Sequence, residues 1–403
     1  MAQSARVNPN STEGPRTDRR PRVAAAVYFA VQGASFAALV TRIPALQSKF
    51  DLSDGALAAI LAVVPVVAGV GSVLAGHLVP KYGSANVLRV AGPVVPLSLV
   101  AVGAAASLPA LLSVLIAVGL GLGAVDACMN MQGVGVQAAY GRSLMGSFHA
   151  TWSLASIVGA LAAAAAAAAD LTLWAFFGIL AVLFVPFQLA AGPSLLKTRE
   201  ANDAGPDIAT RSVPWRPILL IGALVTCVYV IDSSASNWSA VYLHQGLGSP
   251  ESIAALAYGG YALATMLGRT AVDRLVPRVG PVNLVRAGGA LATAALILVA
   301  AAPGPVVGLI GFGLLGLGLC PAIPLSFVAA DQHDPAGNGV AVARVNVFNY
   351  VGFVVGAPLI GLVSEASSLR WAFAALSPVA IAVAALAPRL RSHQPTARQT
   401  TST

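Results

Sequence analysis

The side chains able to do chemistry are few, and most lie inside long apolar runs. Asp126 falls within 109–135, with Asn130 one helical turn on and on the same face. A carboxyl group in a low-dielectric cavity can load and release a proton, and an ionisable residue within such a run marks a functional site by default. The plainer reading makes Asp126 a static partner of Arg344 or His149. His149, Trp152, Ser153 and Ser156 recur at helical spacing and form one polar stripe, in which His149 is either a titrating group or a hydrogen-bonded packing residue. Asp232, Ser236 and Ser239 form another stripe, with Ser233 and Asn237 beside it. Gln32, Ser35 and Arg42 align on a third. Asn346 and Asn349 are placed on the cavity side of their helix. Arg344, about 200° from Asn346 around that helix, is either a gate residue or a cation at the helix end.

These stripes give three groups of candidates. Asp126, His149 and Asp232 are candidates for proton coupling. Gln32, Asn130, Trp152, Ser153, Ser236, Asn346 and Asn349 are candidates for lining a solute cavity. Arg42, Asn237, Trp238 and Arg344 are gate candidates, with Arg42 expected to meet Asp232 or Asn237 at one end of the molecule. The bland alternative is that each solvates itself at a membrane interface, Arg42 by snorkelling.

The elements that must position these groups follow from composition. Of 403 residues, 57% are hydrophobic and 9% charged, against roughly 25% charged in a soluble domain. Apolar runs long enough to span a bilayer lie near 23–43, 56–79, 87–107, 109–135, 144–169, 171–191, 217–243, 251–273, 282–302, 305–329, 338–363 and 370–388. The chain therefore reads as an all-α membrane protein of twelve helices. A polar stretch over 192–216 divides it into six-helix bundles at 23–191 and 217–388, with disordered cytoplasmic tails at 1–22 and 389–403. The first apolar block is followed by no small-residue cleavage site and is expected to stay as helix one. The net charge of +8 reflects basic residues gathered on one side of the membrane rather than a nucleic-acid partner. With the N-terminus inside, 19 of the 23 basic residues, the group from Arg269 to Arg286 among them, fall on the cytoplasmic side.

An internal repeat supports the division. Residues 78–89, LVPKYGSANVLR, and 275–286, LVPRVGPVNLVR, share six identities at an offset of 197, each after the second span of its half. Gly71 and Gly268 extend the match. Glycine-rich runs at 119–123, 311–318 and 352–361 have no strand before them and no lysine, so they read as close helix contacts rather than phosphate loops. Pro65, Pro93, Pro96, Pro321, Pro324 and Pro358 are candidate kinks. Cys128, Cys227 and Cys320 lie in apolar runs without metal-type spacing and read as packing residues; no metal or cofactor is expected.

With these residues in hand the chain resembles the major facilitator superfamily of transporters. Gly76, Leu78, Lys81 and Gly83, and in the second half Leu275, Arg278 and Gly280, fit that family's loop signature between helices two and three. Pro80 and Pro277 stand where its acid is expected, so a gating salt bridge built on that acid has no basis here. Pro44, Gln47 and Phe50 with Leu52 and Ser53, and the run from Gly121 to Asn130, look like the fucose-permease branch. The resemblance implies that Asp126 takes part in proton coupling; the acid of helix one is replaced by Val40. The runs 147–153 and 237–242 look more like uncharacterised bacterial members than sugar carriers. It implies alternating access by a monomer that carries a small solute across a bacterial inner membrane, as a proton symporter. Two further classes stay open: an efflux pump for a hydrophobic compound, which 6% aromatic content disfavours, and a non-transporting sensor. No zinc, nucleophile or phosphate motif suggests an enzyme.

Overall fold

The computed structural model describes residues 18–52, 54–197, 213–254, 256–334 and 337–391, and these contain helices and no strand. The first half comprises α1 (Arg19–Thr41), the short α2 (Ile43–Phe50), α3 (Asp54–Tyr82), α4 (Ser84–Ala104), α5 (Leu108–Tyr140), α6 (Met145–Ala168) and α7 (Leu173–Ala191). The second comprises α8 (Trp215–Val241), the single turn α9 (Glu251–Ala254), α10 (Leu256–Val279), α11 (Pro281–Ala300), α12 (Pro305–Leu319), α13 (Ala322–Asp331), α14 (Val340–Ala366), α15 (Leu369–Ala374) and α16 (Ser377–Leu386). The expected tails and most of the linker fall outside the described residues. Helix α1 nonetheless starts earlier than the apolar run, at Arg19, because Asp18 caps it by accepting Arg20 N–H at 3.0 Å.

Eleven of the described helical segments are long and apolar enough to cross a membrane, counting α12 with α13 and α15 with α16 as one each. The twelfth, α10, is long enough but carries Arg269, Asp273, Arg274 and Arg278. Large apolar side chains such as Val90 and Val182 are 72% and 77% exposed. In water that surface would drive aggregation; in lipid it is the surface required. Of the proline candidates, Pro321 separates α12 from α13, whereas Pro65, Pro93, Pro96 and Pro358 sit within continuous helices.

The two halves pack alike. In the first, α1 pairs with α6, α3 with α5, and α4 with both α5 and α7; in the second, α8 pairs with α14, α10 with α12, and α11 with both α12 and α16. The repeat occupies equivalent corners. Gly83 and Gly280 both have φ 77°, both precede a helix, and both donate N–H four residues back, to Val79 O and Val276 O. Asn86 donates to Tyr82 O at 2.9 Å and Asn283 to Val279 O at 3.0 Å. Small residues set the helix spacing, as expected: a methyl at Gly123 would lie 1.8 Å from the carbonyl of Ala68 on α3.

The halves meet along two junctions, α3 with α14 and α6 with α10. Among the described residues, hydrogen bonds between the halves all lie in the portion of the bundle nearer the chain ends. That end is closed.

Candidate functional site

The residues flanking the two junctions form a polar floor deep in the bundle. At the α3–α14 junction, Ser72 Oγ donates to Ala343 O at 3.2 Å, Asn346 Nδ2 donates to Ser72 Oγ at 3.2 Å, and Asn349 Nδ2 donates to Asn346 Oδ1 at 2.8 Å. Beside them Tyr350 donates its hydroxyl to Asp126 Oδ2 at 2.9 Å, tying α14 of the second half to α5 of the first. The amides of Asn346 and Asn349 face the same carboxylate. Asn130 Nδ2 donates to the backbone oxygen of Asp126 at 2.8 Å, while Asn130 Oδ1 and Asn349 Oδ1 are buried without a donor. Asp126 is thus not the ion-pair partner of Arg344 or His149 considered from sequence.

At the α6–α10 junction, Ser153 donates to His149 O at 3.0 Å and accepts from Arg269 Nη1 at 2.6 Å. His149 is 7% exposed and lies against Phe29 and, nearly parallel, Phe327 of the second half, ring centroids 5.5 and 6.1 Å away. Its Nε2 has no partner. Trp152 Nε1 donates to Gln32 Oε1 on α1, and the indole lies beside Phe36. The polar stripe of α6 therefore points partly into the floor and partly onto α1.

Asp232 accepts from Tyr261 Oη at 2.5 Å, and Tyr229 lies within electrostatic range of both Asp126 and Asp232. Ser236 stands beside the Tyr258 hydroxyl. Asp126 and Asp232 are thus each met by a tyrosine, and both remain half-buried rather than sealed.

The expected meeting of Arg42 with Asp232 or Asn237 does not occur in this conformation. Arg42 Nη2 donates to Leu171 O at 2.8 Å, and its guanidinium lies 5.9 Å from the Phe176 ring, both in its own half. Asn237 is exposed and donates to Ser233 O at 2.8 Å. Trp238 Nε1 donates to Ala357 O at 2.9 Å, fastening α8 to α14 within one half. The closed junctions hold the halves together near the chain ends, so the opposite ends of α1 and α8 have no reason to meet. Arg344 donates to Val213 O at 2.8 Å and stacks 4.2 Å from the Trp215 ring, where the linker enters α8. Lys81 and Arg278 are exposed at the ends of α3 and α10.

Arg269 is a correction. Counted from sequence among cytoplasmic loop cations, it lies ten residues inside the end of α10, roughly 15 Å along the helix, and touches α6. Reasoning on sequence also passed over Tyr350, Tyr261, Ser72 and Asp273. The offset of 197 was the available signal, since it carries Ser72 to Arg269 and Ser153 to Tyr350.

The bundle, the duplicated packing and the paired junctions define a membrane transporter of the two-half type. The chain belongs to the Major Facilitator Superfamily, whose family model matches residues 138–342. It is 30% identical to the uncharacterized transporter y4wD of Sinorhizobium fredii over 91% of this chain and 97% of that one. It is equally 30% identical to an uncharacterized MFS-type transporter of Yersinia pestis over 91% and 94%. FucP, the fucose:proton symporter of E. coli, in its outward conformation has the same fold with a TM-score of 0.76, at 15% identity over 92% of this chain and 99% of its own.

Proposed function

We propose that this chain is a proton symporter that moves a small polar solute across a bacterial inner membrane. It works as a monomer with both termini cytoplasmic, by rocking one six-helix half against the other. The observation that carries the reading is the bond from Tyr350 in one half to Asp126 in the other. An ionised Asp126 only accepts hydrogen bonds. A protonated one becomes a donor as well, and Asn349, whose side chain faces that carboxyl, has an unpartnered oxygen able to accept. Protonation thus rewrites the contacts at an interface between the halves, which is what coupling a proton to alternating access requires. The transporter relatives and the fucose:proton symporter of like fold support the class.

The test is counterflow and gradient-driven uptake in proteoliposomes, with and without an imposed pH gradient. Asp126→Asn is expected to keep solute exchange and to lose at least about tenfold of the proton-driven accumulation. Tyr350→Phe keeps the carboxyl and should lose less. Undiminished accumulation by Asp126→Asn would remove that residue from the proton path.

A further inference from the structure

Arg269 takes no part in the Asp126 relay, and its hydrogen bonding is incomplete. Nη1 is used on Ser153. Nε is buried without a partner, and no hydrogen bond of Nη2 occurs among the described residues. The Nε–Nη2 edge of a guanidinium presents two parallel N–H groups at the spacing of the two oxygens of a carboxylate. One turn before Ser153 on the same helix, His149 Nε2 is likewise buried and unpartnered, and His149 lies within electrostatic range of Arg269. Asp232 also lies in that range, but its carboxylate bonds Tyr261 and forms no ion pair with Arg269.

The pseudo-twofold relation supplies a comparison. It carries the Arg269–Ser153 contact onto Ser72 and Tyr350, and His149 onto Asn346. There the described residues place hydroxyl and amide groups beside the Asp126 carboxylate and no cation, with Asn346 donating to Ser72. Closing a junction of this fold therefore does not require a cation, and Arg269 is an addition confined to one side. The polar floor of the other junction offers the complementary chemistry, since Asn130 Oδ1 is a buried acceptor with no donor.

We propose that the free edge of Arg269, with His149 beside it, anchors a carboxylate of the transported solute. The unpartnered oxygen of Asn130 receives a hydroxyl group of that solute. The substrate class is then a small hydroxylated organic acid. This rests on the transport reading above.

The experiment measures thermal unfolding of the purified protein in detergent with gluconate, glucuronate or glycerate, each against its neutral counterpart sorbitol, glucose or glycerol. At least one acid should raise the wild-type midpoint by about 2 °C or more through linkage, with its neutral counterpart giving less. Arg269→Lys should keep a reduced rise and Arg269→Gln none. If Arg269→Gln does not fold, the acid-against-neutral difference in the wild type and in Arg269→Lys carries the test. The proposal falls if no acid shifts the wild type, if the neutral partners shift it as much, or if the shift survives Arg269→Gln. Counterflow of a neutral polyol at an undiminished rate in Arg269→Gln would overturn the anion site while leaving transport itself established.

Discussion

The carboxylate of Asp273, on α10 of the second half, accepts the backbone N–H groups of Gly146 and Ser147, the first turn of α6 in the other half, at 2.9 and 2.8 Å. Ser143 Oγ adds a bond at 2.9 Å, and Ser147 Oγ adds another. A helix start carries partial positive charge and unsatisfied N–H groups, so an anion placed there gains both terms at once. The offset of 197 maps Asp273 onto Gly76 and Gly146 onto Ala343. At that second place there is no acid: a methyl on Gly76 would sit 3.1 Å from Ala343 Cβ. The two junctions are geometric equivalents with different chemistry. One is latched by charge-assisted bonds; the other is closed by packing and by the Ser72–Asn346 pair beside the Tyr350–Asp126 bond.

Removing the latch should therefore open the end nearer the termini without touching Asp126. Each charge-assisted hydrogen bond contributes roughly 1.5–3 kcal/mol. Asp273→Ala should accordingly shift the balance of conformations at least about tenfold toward opening at that end. Spin labels on the first turn of α6 and the last turn of α10 would report it as a longer distance population in pulsed dipolar spectroscopy. An unchanged distance distribution would mean that packing alone closes this junction.

The helices and their duplication were legible because lipid imposes long apolar runs and the corner glycines leave a pattern in sequence. Gly83 and Gly280 announce themselves this way. Asp126 and Asp232 were equally visible, since a carboxylate in an apolar run needs a reason. Their partners were not: Tyr350 and Tyr261 are ordinary residues in an apolar helix until the fold brings a carboxylate to them. Arg269 was misplaced because a basic residue near a span end reads as a cytoplasmic cation, and only its depth along α10 corrects that. The contact expected of Arg42 with Asp232 or Asn237 is not made here, where Arg42 bonds Leu171 O in its own half. A contact made in one state of a moving protein leaves no mark in its periodicity.

Asp334 offers a pH prediction outside the spans. It is 6% exposed, just before α14, and burial pushes its carboxyl above the usual carboxylate range, although backbone N–H groups including that of Ala341, at 3.4 Å, partly offset this. A raised folded value means the folded state binds the proton more readily than the unfolded chain. This group's contribution is therefore favourable at low pH and is lost as pH rises from the ordinary carboxylate range through the folded value. Asp334→Asn keeps an acceptor oxygen and removes the buried charge. It should be at least as stable as the wild type at pH 8, and the wild type should gain on it as pH falls toward 5. Thermal unfolding at a series of pH values decides; a variant less stable at pH 8 by a margin that shrinks as pH falls would show instead that the ionised carboxylate stabilises the start of α14.

The corner glycines test whether the two halves are equivalent in energy as well as in shape. Gly83 has φ 77° and ψ 147°, and Gly280 has φ 77° and ψ 157°. This region is essentially closed to residues with a Cβ, and forcing one into it costs of order 1–3 kcal/mol. Around Gly280 nothing lies within 4 Å of where a methyl would go, so strain and not collision is what alanine would meet there. Each corner also fixes where a basic residue, Lys81 or Arg278, leaves the preceding helix. Gly83→Ala and Gly280→Ala should therefore lower the unfolding midpoint by similar amounts, and the double variant by their sum, because the sites lie in different halves and bond different carbonyls, Val79 O and Val276 O. A loss at one corner and none at the other would mean that the duplicated backbone carries unequal loads, with one half able to relax where the other cannot.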